Sequence, residues 1–374
     1  MVNVTDENWR VLLSLLPDNW ESLAAETKAV ERLRGFGSAE SVLRTLLLHV
    51  GKGYSLRETA VLARQSGLAD VSDVTILNRL RQAESWWKLL CQFLLQESGV
   101  DLPDGPGGRR VRLLDGTLVK EPGRTGSQWR IHYSLRVPSL LCDYLDITAT
   151  HGQGTGETLH RFPAHPGDLV LGDRGFCSPA GIAALQQQGA DVLVRWHSSR
   201  LPLFNSGGQR FHLLPRLDQL PEPGEVQAWT VMIDGPQSRL AGRICALRKS
   251  EAAARKALRN IKRKAQMGGP EPKPETLAYA AYVIVFSTLP AEEFSAQQVL
   301  EWYRVRWQID LAFKRWKSLA QMGHLPKQDD SSARAWLYGK LLLALLGQKI
   351  IRIGRAISPW GYLLPAEVQR QSLA

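Results

Sequence analysis

Cysteine is scarce in this sequence: four thiols in 374 residues, Cys91, Cys142, Cys177 and Cys245, with no CxxC pair among them. That spacing excludes a disulfide framework and the common zinc-ligand patterns, and leaves ordinary buried thiols as the expectation. Long apolar runs are missing too. The longest, Leu341 to Leu346, falls far short of the roughly 18 residues that span a bilayer, so no membrane segment is expected. The first ten residues, MVNVTDENWR, carry acids and no apolar core, which argues against a secretory signal and for a cytoplasmic protein. No internal repeat is visible. Acids are in deficit, 36 against 47 Lys+Arg, and the resulting formal charge of +11 suits a polyanionic partner, of which nucleic acid is the commonest in a cytoplasm. The 44% hydrophobic content excludes a disordered chain, and the length suggests two or three structural units at about 100–200 residues each.

Up to about residue 100 the pattern is helical with few turn signals. Ser55-Leu56-Arg57-Glu58 has the S-x-x-E spacing of a capping box, Gly67 is a plausible stop, and a second helix from about Asp73 carries Asn78, Arg79, Arg81 and Gln82. Such side chains suit the reading helix of a helix-turn-helix, with Arg79 a DNA-contact candidate, and equally suit the solvated face of a helical hairpin. The Gly/Pro-rich segment 102–108 reads as a linker. After it come short apolar runs, Val111 to Leu114, Arg130 to Val137, Leu140 to Thr148 and Leu169 to Leu171, which predict strands. Ser178 to Gln188 predicts a helix with Pro179 in its first turn, and Ala190 to Trp196 another strand, making an α/β unit with a mixed sheet. Residues 200–248 read as an added β-rich region, and Arg248 to Lys264 is a basic run suited either to a solvated helix face or to nucleic-acid contact. A buried-type strand is predicted over Ala278 to Phe286, a long helix from Ser295 to about Gln321, and a closing helix over Ala335 to Ile353.

Two carboxylates stand directly after predicted strands: Asp115 in Asp-Gly-Thr117 and Asp173 in Asp-Arg-Gly-Phe176. Open α/β sheets place functional groups at carboxyl ends of strands, whereas a lone Asp-Gly is more often a turn. On the long helix, at 100° per residue, Arg306, Asp310, Lys314 and Lys317 all fall within about 60° of Tyr303. That stripe is either a surface ion-pair set, Asp310 and Lys314 being four apart, or the rim of a site that holds metal and phosphate together. Three carboxylates can bind two hard divalent cations, and Arg and Lys on neighbouring turns can neutralise phosphates. Gly152-x-Gly154-x-Gly156 lacks a following Gly-Lys-Ser/Thr and reads as a turn rather than a nucleotide loop.

Asp115-Gly-Thr, Asp173-Arg-Gly-Phe and Tyr303-x2-Arg306-x3-Asp310-x6-Lys317 resemble, in order and spacing, the three acidic motifs of DDE transposases from the insertion-sequence family with a Y-R-E-K signature. The resemblance covers roughly residues 110–320. It implies a ribonuclease-H-like core with a β-rich insertion between the second and third acids, and cut-and-paste transposition of double-stranded DNA by Asp115, Asp173 and Asp310 with two Mg²⁺ ions, for which Mn²⁺ would substitute. Tyr303, Arg306 and Lys317 would contact DNA near the cleaved end, with Lys314 and Arg174 beside them. Tyr282 would stand near the position of an aromatic residue that stacks on a flipped base. A hairpin intermediate, a homodimer on paired DNA ends and a location at the prokaryotic nucleoid are further implications.

The expected layout is α/β: a helical DNA-binding domain over 1–101, the ribonuclease-H-like mixed sheet over 109–200 and 276–325, the β-rich insertion with its basic segment over 201–275, and a C-terminal helical segment over 326–374. One departure stands out: where the family has glutamate, this chain has Asp310, which withdraws the carboxylate by about 1.5 Å, one C–C bond. Glu301, nine residues back, is no substitute, since it lies about 180° away on the helix. A catalytically impaired copy that still binds DNA, and a metal nuclease of the same fold, are the alternatives.

Overall fold

Side chains of a β-strand alternate between the two faces of its sheet, and this alternation decides the architecture. The computed structural model describes residues 4–96, 105–120, 128–220, 222–311, 314, 325–326 and 329–357. One mixed sheet holds eight strands: β1 (Arg110–Lys120), β2 (Gln128–Val137), β3 (Cys142–Ala149), β4 (Asp168–Gly172), β5 (Asp191–Arg195), β6 (Val226–Asp234), β7 (Arg239–Arg248) and β8 (Tyr282–Ser287). Their order across the sheet is β3-β2-β1-β4-β5-β8-β7-β6. β4 is parallel to both β1 and β5, and all other neighbouring pairs are antiparallel. Such a mixed sheet is consistent with a ribonuclease-H-like domain.

The helices in chain order are α1 (Val4–Leu13), α2 (Trp20–Glu26), α3 (Ala39–Lys52), α4 (Leu56–Gln65), α5 (Asp73–Gln82), α6 (Glu84–Gln96), α7 (Pro179–Gln187), the single turn α8 (Leu214–Leu217), α9 (Glu251–Gln266), α10 (Pro274–Ala278), α11 (Ala296–Val305) and α12 (Asp330–Ile357). Val111, Leu113, Leu169, Leu171, Leu193, Cys245 and Val285 line the sheet face that shares a core with the N-terminal helices, α11 and α12. Leu114, Val170, Val192, Val194, Ile244, Ile284 and Phe286 line the opposite face, covered by Ile182 and Leu185 of α7 and by the segment around Leu201 to Leu220. No helix among the described residues is long and apolar enough to cross a membrane, and all four cysteines are buried free thiols.

Local signals account for most helix limits. Ser55 and Glu58 exchange the two hydrogen bonds of a capping box at the start of α4, at 3.2 and 2.7 Å. Pro179 occupies the first turn of α7 behind its cap Ser178, and Ser295 with Gln298 forms a second capping box that starts α11. Arg243 of β7 donates to the carbonyls of Phe294 (2.9 Å) and Pro290 (3.2 Å), which fixes the loop leading into α11. Asp329 starts α12: its carboxylate accepts from the Ser332 amide (3.0 Å) and from Arg81 of α5 (3.2 Å). Partial burial opposes the charge on Asp329, yet the bonds from Ser332, Arg81 and Ser331 hold its pKa well below the usual carboxylate range. Asp329→Ala is therefore expected to cost about 1 kcal/mol, the usual value of an N-cap, read as a lower denaturant midpoint. Because the folded pKa is depressed, this stabilisation is present at neutral pH and fades as pH falls through and below the ordinary carboxylate range.

Several expectations shift. β1 does not stop at Leu114: β2 pairs with it from Val111↔Val137 to Lys120↔Gln128, so backbone pairing overrides the Asp-Gly turn signal. The run Ala278 to Phe286 is strand only from Tyr282, the preceding residues being the end of α10 and a tight turn over Tyr279–Ala281. The strands expected as an insertion, β6 and β7, continue the same sheet through β8. The long helix is interrupted: α11 ends at Val305, and Arg306, Trp307, Ile309 and Asp310 each bond to the carbonyl three residues back.

Candidate active site

Parallel pairing sets Leu113 of β1 beside Leu171 of β4. Two residues further along each chain come Asp115 and Asp173, which share the sequence parity of Leu113 and Leu171, the positions facing α11 and α12. Asp115 thus sits within a strand and Asp173 directly after one, and the charge of Asp173 acts on Asp115. Each is steadied by a following glycine amide: Gly116 donates to Asp115 Oδ1 and Gly175 to Asp173 Oδ1, both at 2.7 Å.

The third acid arrives from across the core. Tyr133 of β2, paired opposite Asp115, is fully buried and donates its hydroxyl to the carbonyl of Ile309 at 3.0 Å. This bond ties the helical residues 308–311, which follow the break after α11, to the strand beside Asp115 and sets the backbone position of Asp310. Arg306 Nη2 approaches Asp310 Oδ2 at 3.9 Å, and the Asp310 side chain is 56% exposed. Among the described residues no three His, Cys, Asp or Glu side chains are already gathered at the ligand distances of one ion.

Charges at this site are coupled. Burial pushes the Asp115 carboxyl up to about 7, with Asp173 and Asp310 adding repulsion while the Gly116 amide and Arg306 pull the other way. Burial would lower the pKa of Arg306, but Tyr303, Asp115, Asp310 and Asp173 outweigh it and hold the guanidinium charged. Tyr303 is buried, hydrogen-bonds with the Arg306 side chain, and has a phenol pushed up mainly by burial. Further cations couple to Arg306 and to one another. Burial lowers Arg195, the last residue of β5, to about 10, with Arg174 and Arg306 adding to the effect. Burial also lowers Lys249 to about 8, with Arg195 and Arg174 contributing. Their polar atoms bond to the carbonyls of Tyr282 (3.3 Å) and Ala280 (2.7 Å). Arg174 is exposed. The ensemble is a carboxylate group bordered by basic side chains, suited to hold cations and phosphate together.

Of the residues predicted from sequence, Asp115, Asp173, Tyr303, Arg306 and Asp310 are electrostatic neighbours, Arg174 lies beside Arg195, and Lys314 is exposed beyond Asp310. Lys317 lies outside the described residues. Two expectations are corrected. Tyr282 is buried, its hydroxyl donating to the Leu217 carbonyl (3.0 Å) and accepting from Arg248 (2.7 Å), so its ring offers no face to a flipped base. Arg79 is buried too, its guanidinium bonded to the carbonyls of Ala29 and Arg32 and to Gln82, so it braces the helices instead of reaching DNA.

Sequence reading missed Tyr133, Arg195 and Glu157, and had Lys249 only as part of the basic run from Arg248 to Lys264. Arg195 ends a strand as the acids were expected to, and the same rule applied to cations would have found it. Glu157 follows a turn with Gly152 and Gly154 at positive φ; its carboxyl is pushed up by burial and by Asp173, with Arg130 and Arg200 opposing. Nothing in the local pattern marks it.

Comparison with known proteins bears on this geometry. Residues 147–346 match the model of the transposase DDE domain, a span that holds Asp173 and Asp310 and begins after Asp115. The transposase for insertion sequence element IS421 of Escherichia coli is 33% identical, over 94% of this chain and 96% of its own. The InsL protein of insertion sequence element IS186A of Escherichia coli (strain K12) matches with the same identity and coverage. The transposase for insertion sequence element IS231F of Bacillus thuringiensis subsp. israelensis is 27% identical over 89% of this chain and 77% of its own.

Proposed function

The chain belongs to the insertion-sequence transposases that carry a DDE domain, and from that premise we propose that Asp115, Asp173 and Asp310 are its catalytic acids. Transposases of this kind act on DNA with divalent metal ions, as polynucleotidyl transferases and endonucleases. The donor set fits such ions. It consists of hard carboxylate oxygens, and the half-buried Asp115 stays pushed up by burial and by its acidic neighbours even with Arg306 nearby. We take the ions to be two Mg²⁺, replaceable by Mn²⁺, which Asp115, Asp173 and Asp310 would hold. When bound, they supply the positive charge that activates an attacking oxygen and stabilises a leaving one in an in-line displacement.

The chain's own residues do the rest. Arg306, oriented by the phenol of Tyr303, neutralises the scissile phosphate. Arg195, Lys249 and Arg174 hold the flanking phosphates, and Lys314 and Lys317 extend the same track. Water is the first nucleophile and the freed DNA 3′-hydroxyl the second, so that one set of acids serves both cutting and joining. Two ends must be paired for cut-and-paste transfer, and a homodimer on DNA is the simplest assembly. The single observation that carries the reading is that Asp115 and Asp173 each follow the Leu113↔Leu171 pair by two residues and are coupled electrostatically to each other and to Arg306.

A second reading, an impaired copy that still binds DNA ends, is favoured by the short and exposed Asp310 side chain. Incubating the protein with Mg²⁺ and a duplex carrying the element's own terminal repeats separates the readings. Cleavage at the repeats with strand joining is expected; binding without cleavage indicates the impaired copy, and cutting without regard to the repeats indicates a simple metal nuclease. Helix α9 gives a further expectation, since none of its residues is fully buried and Arg255, Lys256, Arg259, Lys262 and Arg263 are exposed or nearly so. If Lys256 and Arg259 each meet a phosphate, Lys256→Ala with Arg259→Ala lowers the slope of log affinity against log salt by about 2, read in binding titrations over a salt series.

A further inference from the structure

We propose that Glu157 is a fourth carboxylate of the cation site, acting on the divalent ion at Asp173; the proposal rests on the assignment of Asp115 and Asp173 as metal ligands. Both acid motifs contain a glycine close behind the acid, Gly116 and Gly175. Neither has a positive φ, so conformational freedom does not explain them. Space does. A Cβ on Gly116 would stand 3.1 Å from Glu157 Oε1 and 3.3 Å from its Cγ. A Cβ on Gly175 would stand 2.2 Å from Glu157 Oε2, closer than any real contact, and 3.0 Å from Asp173 Oδ1. One side chain therefore fills the room left at both motifs, and its carboxylate converges with that of Asp173 on a single point beside Gly175.

The positive charge near this pair is that of Arg130 and Arg200, both of which act on Glu157, Arg200 also donating to the Gly175 carbonyl at 2.9 Å. Arg130 Nε stands 3.8 Å from Glu157 Oε1, beyond hydrogen-bond distance. Arg130 Nη1 donates instead to the Thr155 carbonyl at 3.0 Å, and its Nε is buried without a hydrogen-bond partner. Two crowded carboxylates repel unless a proton or a cation stands with them. A divalent ion at Asp173 satisfies both, and Glu157 then orients the ion or a water bound to it, as outer carboxylates of metal sites do. The turn over Gly152 to Gly156 acquires a purpose on this view, since it delivers Glu157 to the end of β4.

Binding of Mn²⁺ alone, followed by electron paramagnetic resonance on the full chain without DNA, tests the proposal. Glu157→Gln, close in size but uncharged, is expected to weaken Mn²⁺ binding by about 10–100-fold. Gly175→Ala is expected to do the same, because its methyl group displaces the Glu157 carboxylate while leaving every acid in the chain. A thermal midpoint in chelator unchanged from wild type distinguishes loss of a metal partner from loss of a structural one. Wild-type Mn²⁺ affinity in both variants, with binding abolished by Asp173→Asn, overturns the role of Glu157. Wild-type affinity in Asp173→Asn itself overturns the metal assignment on which the proposal stands. Should Glu157→Gln fail to fold, Gly175→Ala and Glu157→Asp decide the matter by the same measurement.

Discussion

Asp115→Asn should abolish cleavage of DNA ends, lowering the rate by about 10³-fold or more, while end binding in chelator stays at the wild-type level. The size follows from charge. Asp115 is half-buried, feels the charges of Asp173, Arg306 and Asp310, and is proposed as a metal ligand. Metal-ion stabilisation of a transition state is worth several kcal/mol, and each 1.36 kcal/mol is tenfold in rate. The amide keeps the shape of the side chain, so its carbonyl can still accept from Gly116 as Asp115 Oδ1 does at 2.7 Å. What it removes is the negative charge. Single-turnover cleavage with saturating protein and Mg²⁺ separates the two properties, and a mutant that cuts within tenfold of wild type would remove Asp115 from the chemistry.

Asp310→Glu should raise cleavage by about 10–100-fold, since a misplacement near 1 Å can cost 10²-fold. The aspartate is one methylene shorter than the family's glutamate, its side chain is 56% exposed, and it lies 3.9 Å from Arg306. The backbone has little freedom to compensate, because Tyr133 holds the Ile309 carbonyl at 3.0 Å. Restoring the methylene carries the carboxylate about 1.5 Å further. Asp310→Ala serves as the reference for loss of the acid. If Asp310→Glu proves no faster than wild type, the shorter acid is already well placed when DNA and metal are bound.

Much of the fold was legible because apolar periodicity reports burial directly. The capping box at Ser55, the helix start at Ser295, the proline start of α7 and the central strands all follow from local chemistry. The misreadings come where tertiary partners override it. Asp115-Gly116 has turn chemistry, yet β2 pairs with it on the far side and the strand runs on to Lys120. No Pro or Gly marks the break after Val305, where bonds to the third residue back and the Tyr133 tie bend the chain.

The wheel for a continuous helix still brought Tyr303, Arg306 and Asp310 to one side, because the interruption is short. Arg79 and Tyr282 show the complementary limit. A polar or aromatic side chain advertises an interaction, but whether its partner is DNA or a carbonyl such as Ala29 or Leu217 depends on packing between segments far apart in sequence. Glu157 was invisible for the same reason: the space it occupies is defined by two glycines 41 and 18 residues away, Gly116 and Gly175.

The decisive measurement is anomalous diffraction from crystals of the protein bound to its element end and Mn²⁺. Manganese peaks should lie between Asp115 and Asp173, with Asp310 drawn toward them from its place beside Arg306. Manganese bound elsewhere, with the carboxylates of Asp115 and Asp173 both bare while the cleavable phosphate is in place, would contradict the assignment of these acids as the metal-binding centre.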